Sequence, residues 1–369
     1  MKKQCFMICT LAVLFLSAGF LTCLFIEKPE YSYSERRYLA AKPKLTADTV
    51  RSGRFMADFE SYALDTFPFR ERLRKIKAWT AVNVFHLQDH HRIYRFHGYL
   101  AVMEYPMQKE LLKQAAEQFA SICRRYLTEE NHVYLSVIPD KNCFLAKESQ
   151  RLSMDYEEFE NQMRQETQFA EYIKISDLLE IGDYYKTDSH WRQEKITDIA
   201  KRLAEHMGAA LEEDYTKHLL TRQFYGAYYG QSALSTSPDC LYYLTGTSID
   251  QCKVFDWQNE KEISVYDMQK AAGKDPYEIY LSGPLSLLTI KNPKVSCTKN
   301  QKKNEKPKKL VIFRDSFGSS LAPLFISGYS QITLIDIRYI QPEVLGRFVD
   351  FKNCDILFLY STLVLNNEI

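Results

Sequence analysis

Val311-Ile312-Phe313-Arg314-Asp315-Ser316-Phe317-Gly318-Ser319-Ser320 joins a short apolar run to a stretch of small polar residues. The run is too short for a helix and has no polar face, so it reads as a strand over 310–313 buried on both sides. Asp315 and Ser316 are frequent first residues of helices, and a helix over 316–325 is expected to follow. Outward from this junction the alternation recurs. Toward the carboxyl end come a strand at 332–335, a helix at 342–349 and a strand at 355–360. Toward the amino end come a helix at 107–127, a strand at 132–138, a helix at 155–169 and a strand at 172–175. Short apolar strands separated by helices predict an α/β fold whose parallel sheet is covered on both faces. Between the two halves, residues 217–290 carry aromatic short strands such as Leu241-Tyr242-Tyr243-Leu244 and Tyr277-Glu278-Ile279-Tyr280, read as a β-rich insertion on the sheet.

The chain has 369 residues, with 48 Lys plus Arg against 47 Asp plus Glu, so no cationic surplus favours nucleic acid. An aromatic fraction of 14% excludes a disordered chain. Residues 5–26 hold no charge after Lys2 and Lys3, a length that suits a bilayer core. They are expected to form an uncleaved, single-pass membrane anchor that places the body outside the cytoplasm; cleavage after Ala18 or Gly19 is the competing reading. Residues 27–49 read as a tether and 50–369 as the folded body, with helical spacing at 50–64 and a break at Asp65 to Arg70. Six cysteines fall in that body, of which Cys240 and Cys252 are the best candidates for a disulfide; buried thiols are the alternative. The lysines of 299–309 read as a solvated loop. His86, His90 and His91 lack a third spaced ligand, so no metal and no cofactor are expected.

Two segments carry chemistry. Ser316 lies at the carboxyl end of a buried strand, the edge where open parallel sheets bind ligands. The N–H groups of Phe317 and Gly318 follow it and are candidate oxyanion donors. In Thr187-Asp188-Ser189-His190-Trp191, an extended backbone projects Asp188 and His190 to one side, so the carboxylate can fix the imidazole tautomer. Each segment alone also reads as a helix cap. Together they supply nucleophile, base and orienting acid. Lys141, Asn142, Arg314, Tyr339, Tyr228 and Tyr229 lie near the same edge in this reading and are candidate substrate contacts.

Thr187-Asp188-Ser189-His190-Trp191, Arg314-Asp315-Ser316-Phe317-Gly318 and Asp336-Ile337-Arg338-Tyr339 resemble motifs of the DHHW proteins, relatives of SGNH-hydrolase-like O-acetyltransferases of exported polysaccharides. Glu35-Arg36-Arg37-Tyr38-Leu39, Asp65 to Arg70, Pro139-Asp140-Lys141, Tyr280-Leu281-Ser282-Gly283 and Ile290-Lys291-Asn292 extend the resemblance over most of 30–362. It implies an SGNH-hydrolase-like three-layer sandwich and a triad of Ser316, His190 and Asp188. It also implies a polysaccharide acceptor and a membrane-bound O-acyltransferase as acetyl donor. Ser189 departs from the pattern, standing where the family has a first histidine. An esterase with the same triad, or a non-catalytic glycan-binding subunit, are the rival readings.

Overall fold

The computed structural model describes residues 2–25, 29–32, 34–211, 214–293 and 308–367. The chain divides into two compact units, residues 92–228 with 236–369, and residues 1–91 with 229–235.

The larger unit is built on an eight-stranded sheet. Its strands are β1 (Val133–Ile138), β2 (Glu171–Tyr172), β3 (Lys253–Asp256), β4 (Lys261–Ile263), β5 (Leu287–Lys291), β6 (Lys309–Arg314), β7 (Gln331–Ile335) and β8 (Cys354–Ser361), in the order β4-β3-β5-β7-β6-β8-β1-β2. The five strands β7, β6, β8, β1 and β2 are parallel. β5, β3 and β4 extend them as an antiparallel edge. Successive side chains of a strand leave opposite faces, and here both faces are apolar. Leu310 and Ile312 of β6 join a core with Leu203, Leu321 and Phe325, while Val311 and Phe313 join another with Phe119, Phe159 and Met163. Helix Thr197–His206 thus covers one face, and helices Lys109–Tyr126 and Tyr156–Glu166 the other. This mixed α/β, three-layer arrangement with a mostly parallel sheet fits the expected SGNH-like fold.

Several local expectations change. The segment 253–291 contributes strands to the central sheet itself, and a hairpin of Thr216–Phe224 with Asp239–Thr245 stands beside it. Pro276–Ile279 is a 3-10 turn where a strand was expected, because Pro276 opens it and Asp275 accepts the Tyr277 N–H. The helix expected over 316–325 is α-helical only at Phe317–Leu321, then 3-10 from Ala322 where Pro323 follows. Cys240 and Cys252 are free thiols, so the expected disulfide is absent between them.

In the smaller unit, helices Arg54–Asp65 and Arg70–Asn83 are separated by the break at Asp65 to Arg70, where Phe69 takes a left-handed conformation (φ 58°). The paired strands Tyr31–Ser32 and Arg37–Tyr38 carry Arg37 onto the Asp65 carboxylate at 2.6 and 2.7 Å. Glu35 pairs with Arg70 at 2.6 Å, so the two motifs around residues 35 and 65 form one ionic cluster. Residues Lys2–Phe25 form a helix. Among the described residues no helix is long and apolar enough to cross a membrane. The expected spanning helix is not found among them; Ile26, Cys297 and most of the lysine-rich run, within 294–307, lie outside the described residues.

Candidate active site

Because β6, β8, β1 and β7 are parallel, their carboxyl ends meet at one edge. Ser316 follows β6 there, partly exposed, with helical backbone angles. Its turn is held by the buried Asp315, whose Oδ1 accepts the Phe317 N–H at 2.9 Å and whose Oδ2 accepts the Ser361 N–H at 2.8 Å. The Gly318 N–H donates to the Asp315 carbonyl at 3.1 Å. Both expected oxyanion donors are therefore engaged by Asp315. Among the described residues, no partner is found for the N–H of Ser316 itself. Gly318 is needed for packing, since a Cβ there would lie 2.7 Å from Cβ of Arg314.

The segment expected to be extended, 186–190, is instead a turn closed by a bridge between Tyr184 and Trp191 and by the Tyr185 N–H on the His190 carbonyl. Asp188 and His190 meet for a different reason from strand alternation. Asp188 Oδ1 accepts the His190 backbone N–H at 3.2 Å and contacts ring Nδ1 at 2.5 Å, the geometry of an Asx turn. Its Oδ2 accepts the Ala227 N–H at 2.7 Å. A fully buried carboxylate only accepts, which puts the imidazole proton on Nδ1 and leaves Nε2 as an acceptor. Ser316 Oγ lies 2.7 Å from that Nε2. The three residues expected to act together thus form a line, Asp188 to His190 to Ser316, each within hydrogen-bonding reach of the next.

Contacts on the inner side fix this spacing. Trp191 Nε1 donates to Ser320 Oγ at 2.9 Å and faces the Phe317 carbonyl at 3.2 Å, and Gln193 Nε2 donates to the Ser320 carbonyl at 2.9 Å. The Tyr277 ring stacks on His190 at 3.9 Å and 11°, with its hydroxyl donating to Ser320 Oγ at 2.9 Å. Burial pushes the Tyr277 phenol well up, so the hydroxyl stays protonated and remains a donor. Ser189 Oγ sits 3.4 Å from His190 Nδ1, a weak contact beside the Asp188 bond. Gly226 passes so near Asp188 that any Cβ would overlap it. Neither Tyr277 nor Gly226 was marked by the sequence, since nothing in their local pattern points to residue 188 or 190.

The expected substrate contacts are mostly buried. Lys141 is 2% exposed, and its Nζ donates to the carbonyls of Tyr185 (2.9 Å) and Lys186 (3.2 Å) beneath the histidine turn. Burial lowers its pKa to about 7, against the opposing pull of Asp188. Asn142 is fully buried, accepting from the Tyr94 hydroxyl and donating to the Leu152 carbonyl. Arg314 is 1% exposed and reaches the Leu285 carbonyl at 3.2 Å, with Asp336 3.9 Å away. The Tyr228 ring covers the Lys141 ammonium at 5.0 Å and is buried too. Lys141 and Tyr228 thus support the histidine turn from within, while Asn142 and Arg314 are buried contacts near the sheet edge. Tyr339 is exposed beside Arg338. Tyr229 belongs to the smaller unit, beneath the Lys75 ammonium. Among the described residues, no group of histidine, cysteine and acidic side chains could hold a metal ion.

No protein-family model matches the chain, and no curated protein matches it in sequence. Solved structures do. A DHHW family protein from Eubacterium siraeum aligns with a TM-score of 0.58 at 19% identity, over 75% of this chain and 92% of that one. PatB1 of Bacillus cereus, solved with a sulfonyl adduct, aligns with a TM-score of 0.58 at 16% identity, over 75% and 96%. A second PatB1 structure gives a TM-score of 0.56 at 15% identity. The chain therefore has the fold of a DHHW family protein, the group that its own sequence motifs resemble.

Proposed function

We propose that this chain is an extracytoplasmic O-acyltransferase, transferring an acetyl group to an exported or cell-surface polysaccharide through an acyl-Ser316 intermediate. The observation that carries the reading is the 2.7 Å approach of Ser316 Oγ to a His190 nitrogen whose ring is oriented by buried Asp188. His190 Nε2 takes the Ser316 proton as Oγ attacks the acyl carbonyl, and returns it to the departing alcohol. A sugar hydroxyl then gives its proton to Nε2 as it attacks the ester carbonyl, and Nε2 returns that proton to Ser316 Oγ as the C–Oγ bond breaks. The Ser316 N–H is the oxyanion donor at this turn, in place of Phe317 and Gly318. Asp188 stabilises the imidazolium formed in each half-reaction.

The fold resemblance and the apolar run 5–26 support a polysaccharide acceptor and an anchored protein receiving acetyl groups from a membrane-bound O-acyltransferase. The contacts of Ser320 with Trp191 and Tyr277 support a preformed triad and weigh against the glycan-binding rival. Intact-mass measurement with an activated acetyl ester tests the reading. Acetylation of Ser316, lost in Ser316→Ala and blocked by a sulfonyl fluoride, is the expected result; labelling that survives Ser316→Ala refutes it. Adding oligosaccharides then separates transfer from hydrolysis, and turnover that yields acetate alone with every glycan assigns the chain to the esterases.

A further inference from the structure

Helix Arg70–Asn83 is folded with its large apolar residues outward. Phe69 immediately precedes it, and Leu73, Ile76 and Trp79 recur at a spacing of three, which places those three along one side. The four are 67%, 44%, 59% and 60% exposed, whereas the residues this helix buries are Ala78 and Ala81. Such a stripe on a soluble surface marks a place where something apolar is met. Its borders are cationic. Arg70 and Arg74 are engaged with Glu35. Arg72, Lys75 and Lys77 are exposed, and no salt bridge is found for them among the described residues.

We propose that this face rests on an anionic lipid bilayer, with Phe69, Leu73, Ile76 and Trp79 at the headgroup boundary and Arg72, Lys75 and Lys77 among the phosphates. The charge pattern selects this occupant. Lysine is depleted from protein–protein interfaces, whereas on a bilayer its stem lies along the apolar side and its ammonium reaches the headgroups. An amphipathic helix with a tryptophan on one face and basic residues at the rim is the form that lies in a membrane interface. The proposal rests on the membrane location proposed above but is independent of the chemistry at Ser316, and its test separates the face from the segment 5–26.

The test is made on the full chain reconstituted into vesicles of phosphatidylglycerol and phosphatidylcholine whose lipids carry bromine near the headgroup. Trp79 is the exposed tryptophan, Trp191 being buried and Trp257 partly so, and Trp79→Phe assigns its share of the emission. Quenching of Trp79 is expected in vesicles containing phosphatidylglycerol. It should fall by about fivefold or more in the triple variant Arg72→Glu, Lys75→Glu, Lys77→Glu, and in Ile76→Glu. Far-ultraviolet circular dichroism and a thermal melt check that the variants remain folded. Carbonate extraction reports the 5–26 segment separately: a chain that resists extraction with Trp79 unquenched overturns the face and keeps the anchor. A chain that is extracted by carbonate but shows quenched Trp79 before the wash keeps the face and overturns the anchor. Quenching unchanged by charge reversal overturns the proposal, as does shielding of Trp79 that appears only when a second protein is added.

Discussion

Replacing Gly226 by alanine is expected to disable the site while leaving the chain folded. A Cβ at this position would lie 2.2 Å from Asp188 Cβ, 2.3 Å from its Oδ2 and 2.5 Å from its Cα. Ordinary contact begins at 3.4 Å, so the two segments must separate by about 1.2 Å. The atoms in the way belong to the stem and backbone of a fully buried residue, which has no flexible end to yield. Asp188 Oδ1 stands 2.5 Å from His190 Nδ1, and a displacement of that size breaks the contact. A misplacement of about 1 Å near the reacting groups costs roughly a hundredfold in rate, whereas overpacking costs about 1–3 kcal/mol of stability. The assay is the rate of acyl-Ser316 formation from an activated ester, followed by intact mass beside a thermal melt. A folded Gly226→Ala protein that acylates at the wild-type rate refutes the argument that Asp188 must sit where it does.

Two further outcomes concern pH. Lys141 is held near pKa 7 when folded against 10.5 in a free chain, so between those values the unfolded state binds the extra proton. Stability from this residue therefore rises with pH across that window, and melting curves of Lys141→Met should lack the rise seen in the wild type. Asp65 behaves in the opposite sense. Its hydrogen bonds with Arg37 depress its pKa to about 2 from 3.8, so its contribution is complete above 3.8 and fades as pH falls toward 2. Asp65→Asn should cost about 1 kcal/mol at neutral pH, the exposed Arg37 being screened, with the difference closing near pH 2 in denaturant titrations.

The strand–turn–helix around Ser316 was legible because a doubly buried strand leaves an unbroken apolar run and a short polar cap. The antiparallel edge was not, since β3, β4 and β5 read as an insertion until the pairing of β5 with β7, and of β3 with β5, is known. Asp188 and His190 were found by their spacing, though the turn that joins them is local hydrogen bonding rather than an extended backbone. Lys141 and Asn142 were placed at the correct sheet edge but aimed wrongly: adjacency to a strand end says nothing of which way a side chain turns. The oxyanion donors failed for a related reason, as the Asp315 carboxylate that claims the Phe317 N–H reads in sequence as an ordinary cap.

Ser320 receives Trp191 and Tyr277 on a single hydroxyl, one from the histidine turn and one from the ring stacked on the histidine. The distance between His190 and Ser316 is thereby gauged from the interior, by contacts that are themselves buried. Loops on the outer rim are then free to lengthen, shorten or exchange residues without retuning the proton path. A scaffold organised this way lends itself to diversification: one constellation of side chains can be kept while the rim around it is refitted.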